Sequence, residues 1–321
     1  MDGFWSDKRV LVTGGGGFLG RAVCRRVAEG GPAALSVPRR SDLDLTQPDD
    51  VAKAFVDAAP DVVVHLAARV GGIGANMVHP ADLYLGNLLM GTYVIEEARR
   101  AGVAKTVVLG TICSYPKFTP VPFSEGALWD GYPEETNAPY GLAKKALLVH
   151  AQANRAQHGQ NAIYLLPTNL YGPGDKFHPG VSHVIPALIK RCVEAKERRL
   201  PTIEVWGTGK ATREFLYVED AAEAIVLAAE RYDGGEPVNV GSGREIAVAE
   251  LVTLIARVVG FEGSIEWDAS KPDGQPRRRV DTSRAEAEFG FRAHTSLEVG
   301  LGATVDWYLE HRKEAEAATF A

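Results

Sequence analysis

Cysteine is scarce in this chain: Cys24, Cys113 and Cys192 are the only three in 321 residues. An odd, widely spaced set excludes a disulfide framework and a zinc ribbon, and it suits a reducing compartment. No run of about 18 apolar residues occurs, so no membrane-spanning helix is expected. A surplus of basic charge is also missing. Lys and Arg number 35 against 41 Asp and Glu, for a net charge of −6. That balance argues against a general nucleic-acid binder, which needs a basic face. It leaves anionic small molecules open, because a few placed cations decide their binding. Residues 1–8 carry two aspartates and no apolar stretch, so no secretory signal is expected and the cytoplasm is the expected location. Internal repeats and low-complexity tracts are absent. The remaining composition, 45% hydrophobic and 24% charged, is that of an ordinary globular protein. The length exceeds what one core usually supports, which favours two domains or one with an appendage.

Residues 9–13 (RVLVT), 33–37, 61–65 (DVVVH), 105–109 (KTVVL) and 162–166 read as short, continuously apolar strands. Helical spacing fills the gaps at 18–29, 51–58, 81–101 and 140–158. Alternating apolar strands and helices imply an α/β fold: a Rossmann-type, doubly wound parallel sheet with right-handed crossovers. Beyond 166 the texture changes, with Pro167, Pro173, Pro179, Pro186 and Pro201 breaking the pattern. Helical periods return at 184–198, 218–231, 248–259 and 297–311, with strand candidates at 202–205 and 237–240. The expected division is a Rossmann domain over 1–166, rejoined by a later segment, and a smaller C-terminal α/β domain over 167–321. The tail from Lys313 is expected to fray.

Residues 13–20 read TGGGGFLG, with Gly14, Gly17 and Gly20 spaced G-x-x-G-x-x-G. Gly14 permits the tight turn out of the strand, Gly17 admits a pyrophosphate, and Gly20 allows close packing of helix on sheet. The helix opening at Phe18 and Leu19 then aims its amides at the phosphates. A strand before and a helix after distinguish this loop from a chance glycine cluster. The second strand ends in Val37-Pro38-Arg39-Arg40 where a NAD site would place a carboxylate. Guanidiniums there favour the 2′-phosphate of NADP(H), the alternative being a solvated turn. Asp44 and Leu45 are expected to bracket the adenine. The small residues after His65, namely Leu66, Ala67 and Ala68, let the backbone pass close to the dinucleotide.

Tyr140 and Lys144 lie four apart and share one helix face. The ammonium is expected to lower the phenol's pKa, so that the pair moves a proton at a ketone or alcohol. Thr111, after the 105–109 strand, would supply a second hydroxyl to the same oxygen. A surface tyrosine with a neighbouring lysine is the alternative when the pattern stands alone.

With these features in order, the chain resembles the extended short-chain dehydrogenase/reductase family over nearly its whole length. Further stretches narrow the resemblance: 70–76 (VGGIGAN), 109–117 (LGTICSYPK), 136–144 (TNAPYGLAK), 167–172 (PTNLYG), 177–188 (FHPGVSHVIPAL), 205–216 (VWGTGKATREFL) and 268–274 (DASKPDG). They are similar to the branch of 3,5-epimerase-4-reductases that act on GDP-linked 4-keto-6-deoxy-hexoses. That resemblance implies a GDP-linked keto sugar as substrate, NADPH as reductant, GDP-L-fucose as product and a homodimer. The dimer would form through the helices at 81–101 and 140–158.

The resemblance also implies roles. Cys113 and His183 match the family's epimerisation pair, base and acid. Thr111 stands where the family has serine, and Gly16 where it often has arginine. Lys144 would also hold the nicotinamide ribose. Pro167, Asn169, Leu170 and His183 join the cofactor contacts. Asn169, Arg191, Trp206, Arg213 and Lys271 fall at substrate positions, the cations suiting a diphosphate. Of the cluster at 277–279, Arg277 is the expected exception to a surface role, while Cys24 and Cys192 read as core. Two alternatives remain at this point. One is a relative acting on another keto sugar nucleotide, such as a heptose, or one that only reduces or only epimerises. The other is an NADP-sensing protein without turnover.

Overall fold

The computed structural model describes residues 3–271 and 275–317. Its first half alternates as the periodicity predicts: β1 (Arg9–Thr13), α1 (Phe18–Glu29), β2 (Ala34–Ser36), α2 (Pro48–Ala58), β3 (Val62–His65), α3 (Ile73–Val78), α4 (Pro80–Arg100), β4 (Lys105–Leu109), α5 (Ala138–His158) and β5 (Ala162–Pro167). Local chemistry sets the helix ends. Pro48 and Pro80 open α2 and α4, where a missing N–H costs nothing. Gly159 closes α5 in the left-handed conformation.

The second half adds β6 (Asn169–Tyr171), α6 (Val184–Glu197), β7 (Thr202–Trp206), β8 (Thr212–Tyr217), α7 (Val218–Arg231), β9 (Val238–Val240), β10 (Glu245–Ala247), α8 (Val248–Val259), β11 (Ser264–Asp268), β12 (Arg277–Arg278), α9 (Ser283–Phe289), α10 (Leu297–Glu310) and α11 (Arg312–Ala317).

Six strands form one parallel sheet in the order β2-β1-β3-β4-β5-β9. The order reverses between β1 and β3, and open α/β sheets bind ligands at the carboxyl ends flanking such a switch point. The valines of β1, β3 and β4 are buried on both faces, which explains their continuous apolar sequence. One core lies between this sheet, α1 and α7, and another lies under α2 and α4. A third core gathers α6, α8 and α10 with β7 and Phe215. It sits beside two small sheets, β10-β8-β12 with β6 attached to β8, and β11-β7.

The expectation of a frayed tail is overturned through Ala317. Residues 312–317 are helical, Ala315 is buried, and its carbonyl accepts a hydrogen bond from the Phe177 amide at 3.0 Å. Short side chains suffice there because Phe177 stacks on Tyr308 just beneath. Residues 318–321 lie outside the described residues.

Candidate active site

The glycine loop leaves the carboxyl end of β1 at the switch point. Gly14 has φ +73°, and a Cβ on it would lie 2.6 Å from the Ala67 amide nitrogen. Only glycine allows the β1 and β3 ends to approach in this way. A Cβ on Gly20 would fall 2.1 Å from the Gly14 carbonyl, so α1 can sit this close to the loop only without one. Gly17 caps α1 with backbone alone, and no side chain engages the first amides. A 12-residue helix with no side-chain cap fits a pyrophosphate at its first amides. Phe18 faces the 172–175 loop, since the Gly174 Cβ position lies 3.8 Å from its ring. Leu19 and Leu66 pack against the core of the main sheet.

Arg39 and Arg40 are exposed at the end of β2. Asp44 folds back on its own turn and accepts from the Thr46 amide and hydroxyl, which lowers its pKa. The Leu45 side chain is buried in the core with Val51 and Phe55. His65 is enclosed, bonded to the Thr13 hydroxyl at 2.8 Å, and pushed down to about 3 by burial and by the Lys144 charge. Its Nε2 has no protein partner.

The reactive groups gather where β4 ends. Thr111 caps a short 3-10 turn, residues 112–114, and its Oγ1 accepts the Cys113 amide at 3.2 Å. Tyr140 projects from α5 toward this turn, while the buried Lys144 lies near enough to His65 to act on it. The helix comes close because residue 141 is glycine; a Cβ there would lie 2.3 Å from the Cys113 carbonyl. The buried Ser114 hydroxyl fastens the contact by donating to the Gly141 carbonyl at 2.9 Å. Tyr164 fastens the next turn, donating to the Lys144 carbonyl at 2.6 Å.

The Tyr140 phenol bonds with Thr111 and lies close enough to Cys113 to feel its charge. The expectation that Lys144 lowers its pKa is overturned. Burial pushes the phenol up, Cys113 adds to that, and Thr111 recovers only part. Lys144 is itself pushed down to about 8 by burial. Enclosure opposes the charged form of each, and that outweighs the benefit of shared-face spacing. Tyr140 is therefore a neutral proton donor near pH 7.

Cys113 is half-buried, and its Sγ has the Arg278 guanidinium 3.9 Å away. This corrects the reading of the three arginines. Arg277 turns outward to pair with Glu245, while Arg278 enters the site. That residue carries no distinguishing mark in the sequence beyond its place in the run.

His183 caps α6 on the opposite loop. Desolvation, with Lys176 nearby, lowers its pKa. The 70–76 stretch supports that loop: a Cβ on Gly72 would lie 2.9 Å from the Ser182 carbonyl.

Pro167, Asn169 and Leu170 continue from β5 into β6, and Asn169 donates to the Glu214 carbonyl at 2.8 Å. The remaining cations form a separate group. Arg191 reaches from α6 to the Glu204 carbonyl, and Arg213 bonds the Thr212 carbonyl at 2.7 Å. Lys271 lies 5.5 Å over the exposed Trp206 ring. Residues 272–274 of the DASKPDG stretch lie outside the described residues. Cys192 is buried, as expected, whereas Cys24 is only half-buried, under the glycine loop.

The chain is similar to known proteins. The model of the NAD dependent epimerase/dehydratase family matches residues 10–241. GDP-L-fucose synthase 1 of Arabidopsis thaliana is 46% identical over 308 residues, 95% of each chain. A GDP-L-fucose synthetase of Naegleria fowleri solved with NADP bound is 28% identical with a TM-score of 0.86, covering 96% of this chain and 95% of that one. A GDP-6-OMe-4-keto-L-xylo-heptose reductase of C. jejuni is 26% identical with a TM-score of 0.89, covering 95% and 98%. Among the described residues no helix is long and apolar enough to cross a membrane. A nicotinamide-cofactor fold carrying these motifs, with curated relatives of this similarity over nearly the whole chain, places the protein in the NAD dependent epimerase/dehydratase family, within its GDP-L-fucose synthase branch.

Proposed function

We propose that the protein converts a GDP-linked 4-keto-6-deoxy-mannose to GDP-L-fucose, epimerising at C3 and C5 and then reducing C4 with NADPH. The observation that carries the reading is the convergence of Thr111, Cys113 and Tyr140 at the end of β4, with Lys144 buried one turn further along α5 and a dinucleotide loop at the sheet's switch point.

Hydrogens beside a ketone are acidic because the carbanion delocalises into the carbonyl as an enolate. Thr111 and Tyr140 hold the C4 oxygen and stabilise that charge. Cys113 removes the proton as thiolate, and His183 delivers one from the opposite face. Two rounds invert C3 and C5. NADPH, when bound, supplies hydride to C4. Tyr140 then donates its proton to the oxygen. Lys144 binds the nicotinamide ribose. Gly14, Gly17 and Gly20 with the start of α1 hold the pyrophosphate, and the exposed Arg39 holds the 2′-phosphate. Asn169, Arg191, Trp206, Arg213 and Lys271 take the nucleotide and its diphosphate. Residues 1–166 serve the cofactor and 167–321 the sugar nucleotide, with β9 rejoining the first sheet.

The protein acts as a homodimer through α4 and α5, whose Tyr84, Leu85 and Val149 are exposed. Its three free thiols fit a cytoplasmic setting. NADPH absorbance with GDP-4-keto-6-deoxy-mannose tests the reading. Decay matching the substrate supplied is expected, and a flat trace refutes it.

A further inference from the structure

We propose that Arg278 is the positioning residue for the Cys113 base, its guanidinium fixing the sulfur and holding the negative charge that proton removal requires. The proposal rests on the assignment of Cys113 as base made above.

Nη1 of Arg278 lies 3.9 Å from Sγ. The other edge of the guanidinium is anchored, because Nε donates to Gln275 Oε1 at 2.7 Å. Gln275 is buried and donates in turn to the Lys117 carbonyl at 2.7 Å. The backbone around Arg278 is fixed as well. Phe123 donates to the Arg279 carbonyl at 2.8 Å, Asp281 donates to the Phe123 carbonyl at 2.9 Å, and Arg278 pairs in register with Arg213 of β8. Cys113 is held from the other side by Thr111 and by the Ser114–Gly141 bond. The fork is thus set by its surroundings before substrate arrives.

The groups facing the sulfur come from two elements, Arg278 from β12 and Tyr140 from α5. Glu134, in the turn before α5, feels Arg278 as well and balances part of its charge. Tyr140 stays neutral and offers no countercharge. A guanidinium keeps its proton at any working pH, so the charge state that changes is the sulfur's. Only the thiolate is a base or nucleophile. The neighbouring Arg277 is committed to Glu245, which is why three consecutive arginines are not interchangeable.

The test is the rate of Cys113 alkylation by iodoacetamide between pH 6 and 9, read by mass spectrometry of its peptide in the full chain without cofactor or substrate. Arg278→Gln and the length-matched Arg278→Met are expected to react at least tenfold more slowly at pH 7, with the midpoint moved to higher pH. Arg278→Lys, which keeps a cation but not the fork, is expected to fall between them and the wild type. The Cys24 peptide, on α1, keeps its wild-type rate if the fold is intact, and either neutral variant that folds is sufficient. A wild-type profile in a folded neutral variant overturns the proposal, as does an Arg278→Lys profile equal to that of the neutral variants. Proton exchange beside the substrate ketone separates this from the underlying reading. If Cys113→Ser exchanges at the wild-type rate, Cys113 is not the base. If that variant is dead and the arginine variants alkylate normally, only the role of Arg278 fails.

Discussion

Replacing Lys144 by methionine should abolish turnover and make the protein more stable. The ammonium is 2% exposed, and burial pushes it down to about 8 from an ordinary 10.5. At 1.36 kcal/mol per pH unit, enclosing the charged form costs about 3 kcal/mol. The sign follows from proton counts. The unfolded chain keeps this proton up to about 10.5, whereas the folded chain gives it up near 8. Below pH 8 the full cost is present, and wild-type stability rises as pH climbs toward 10.5 because the unfolded state then binds more protons. Methionine has a similar length and no charge, so the variant avoids the cost. Urea unfolding followed by tryptophan fluorescence should show Lys144→Met ahead by about 3 kcal/mol at pH 7 and by about 1.5 kcal/mol at pH 9.5. The buried phenols ionise alike in both unfolded chains, so they cancel in the difference. A gap that is the same at both pH values, or a variant less stable at pH 7, would refute the reasoning that this lysine is held at a cost for its function.

Tyr140→Phe removes the proton donor but leaves the sulfur in place. Reduction should fall at least about 100-fold, while deuterium exchange beside the ketone slows but continues because Thr111 still holds the C4 oxygen; reduction at the wild-type rate would contradict the assignment. Two glycines of α10 should behave oppositely. A Cβ on Gly300 would lie 2.2 Å from the hydroxyl of the buried Tyr171, whereas one on Gly302 meets nothing within 4 Å. Gly302→Ala should gain about 0.5–1 kcal/mol from helix propensity, and Gly300→Ala should lose about 1–3 kcal/mol to overpacking. Thermal melting checks the order, and a reversed order contradicts the packing described.

The parallel sheet was legible because strands covered on both faces must be apolar throughout, and 10–12, 62–64 and 107–109 are. The small sheets were less so. β8 (TREFLY) mixes charged and aromatic residues, since it is flanked by β6, β10 and β12 and exposes its start. Such pairings between distant segments leave no local period. Tyr140 and Lys144 were found by spacing, yet spacing reports a shared face and says nothing of enclosure, so the direction of the tyrosine's shift was missed. Arg278 was missed for a related reason. Successive strand residues point to opposite faces, which sends Arg277 to Glu245 and Arg278 to Cys113. The run of three arginines cannot say which of them faces inward until the register with β8 is known. Leu45 reads as a loop residue near the adenine, but it is the apolar residue that seals the end of α2.

The central claim is that one site performs both proton exchange and reduction. Turnover of GDP-4-keto-6-deoxy-mannose with NADPH in deuterated water tests it most directly. One NADPH oxidised per GDP-L-fucose formed is expected, with deuterium at both C3 and C5. Reduced product without deuterium at these carbons, or deuterated substrate with no NADPH oxidised, would contradict it.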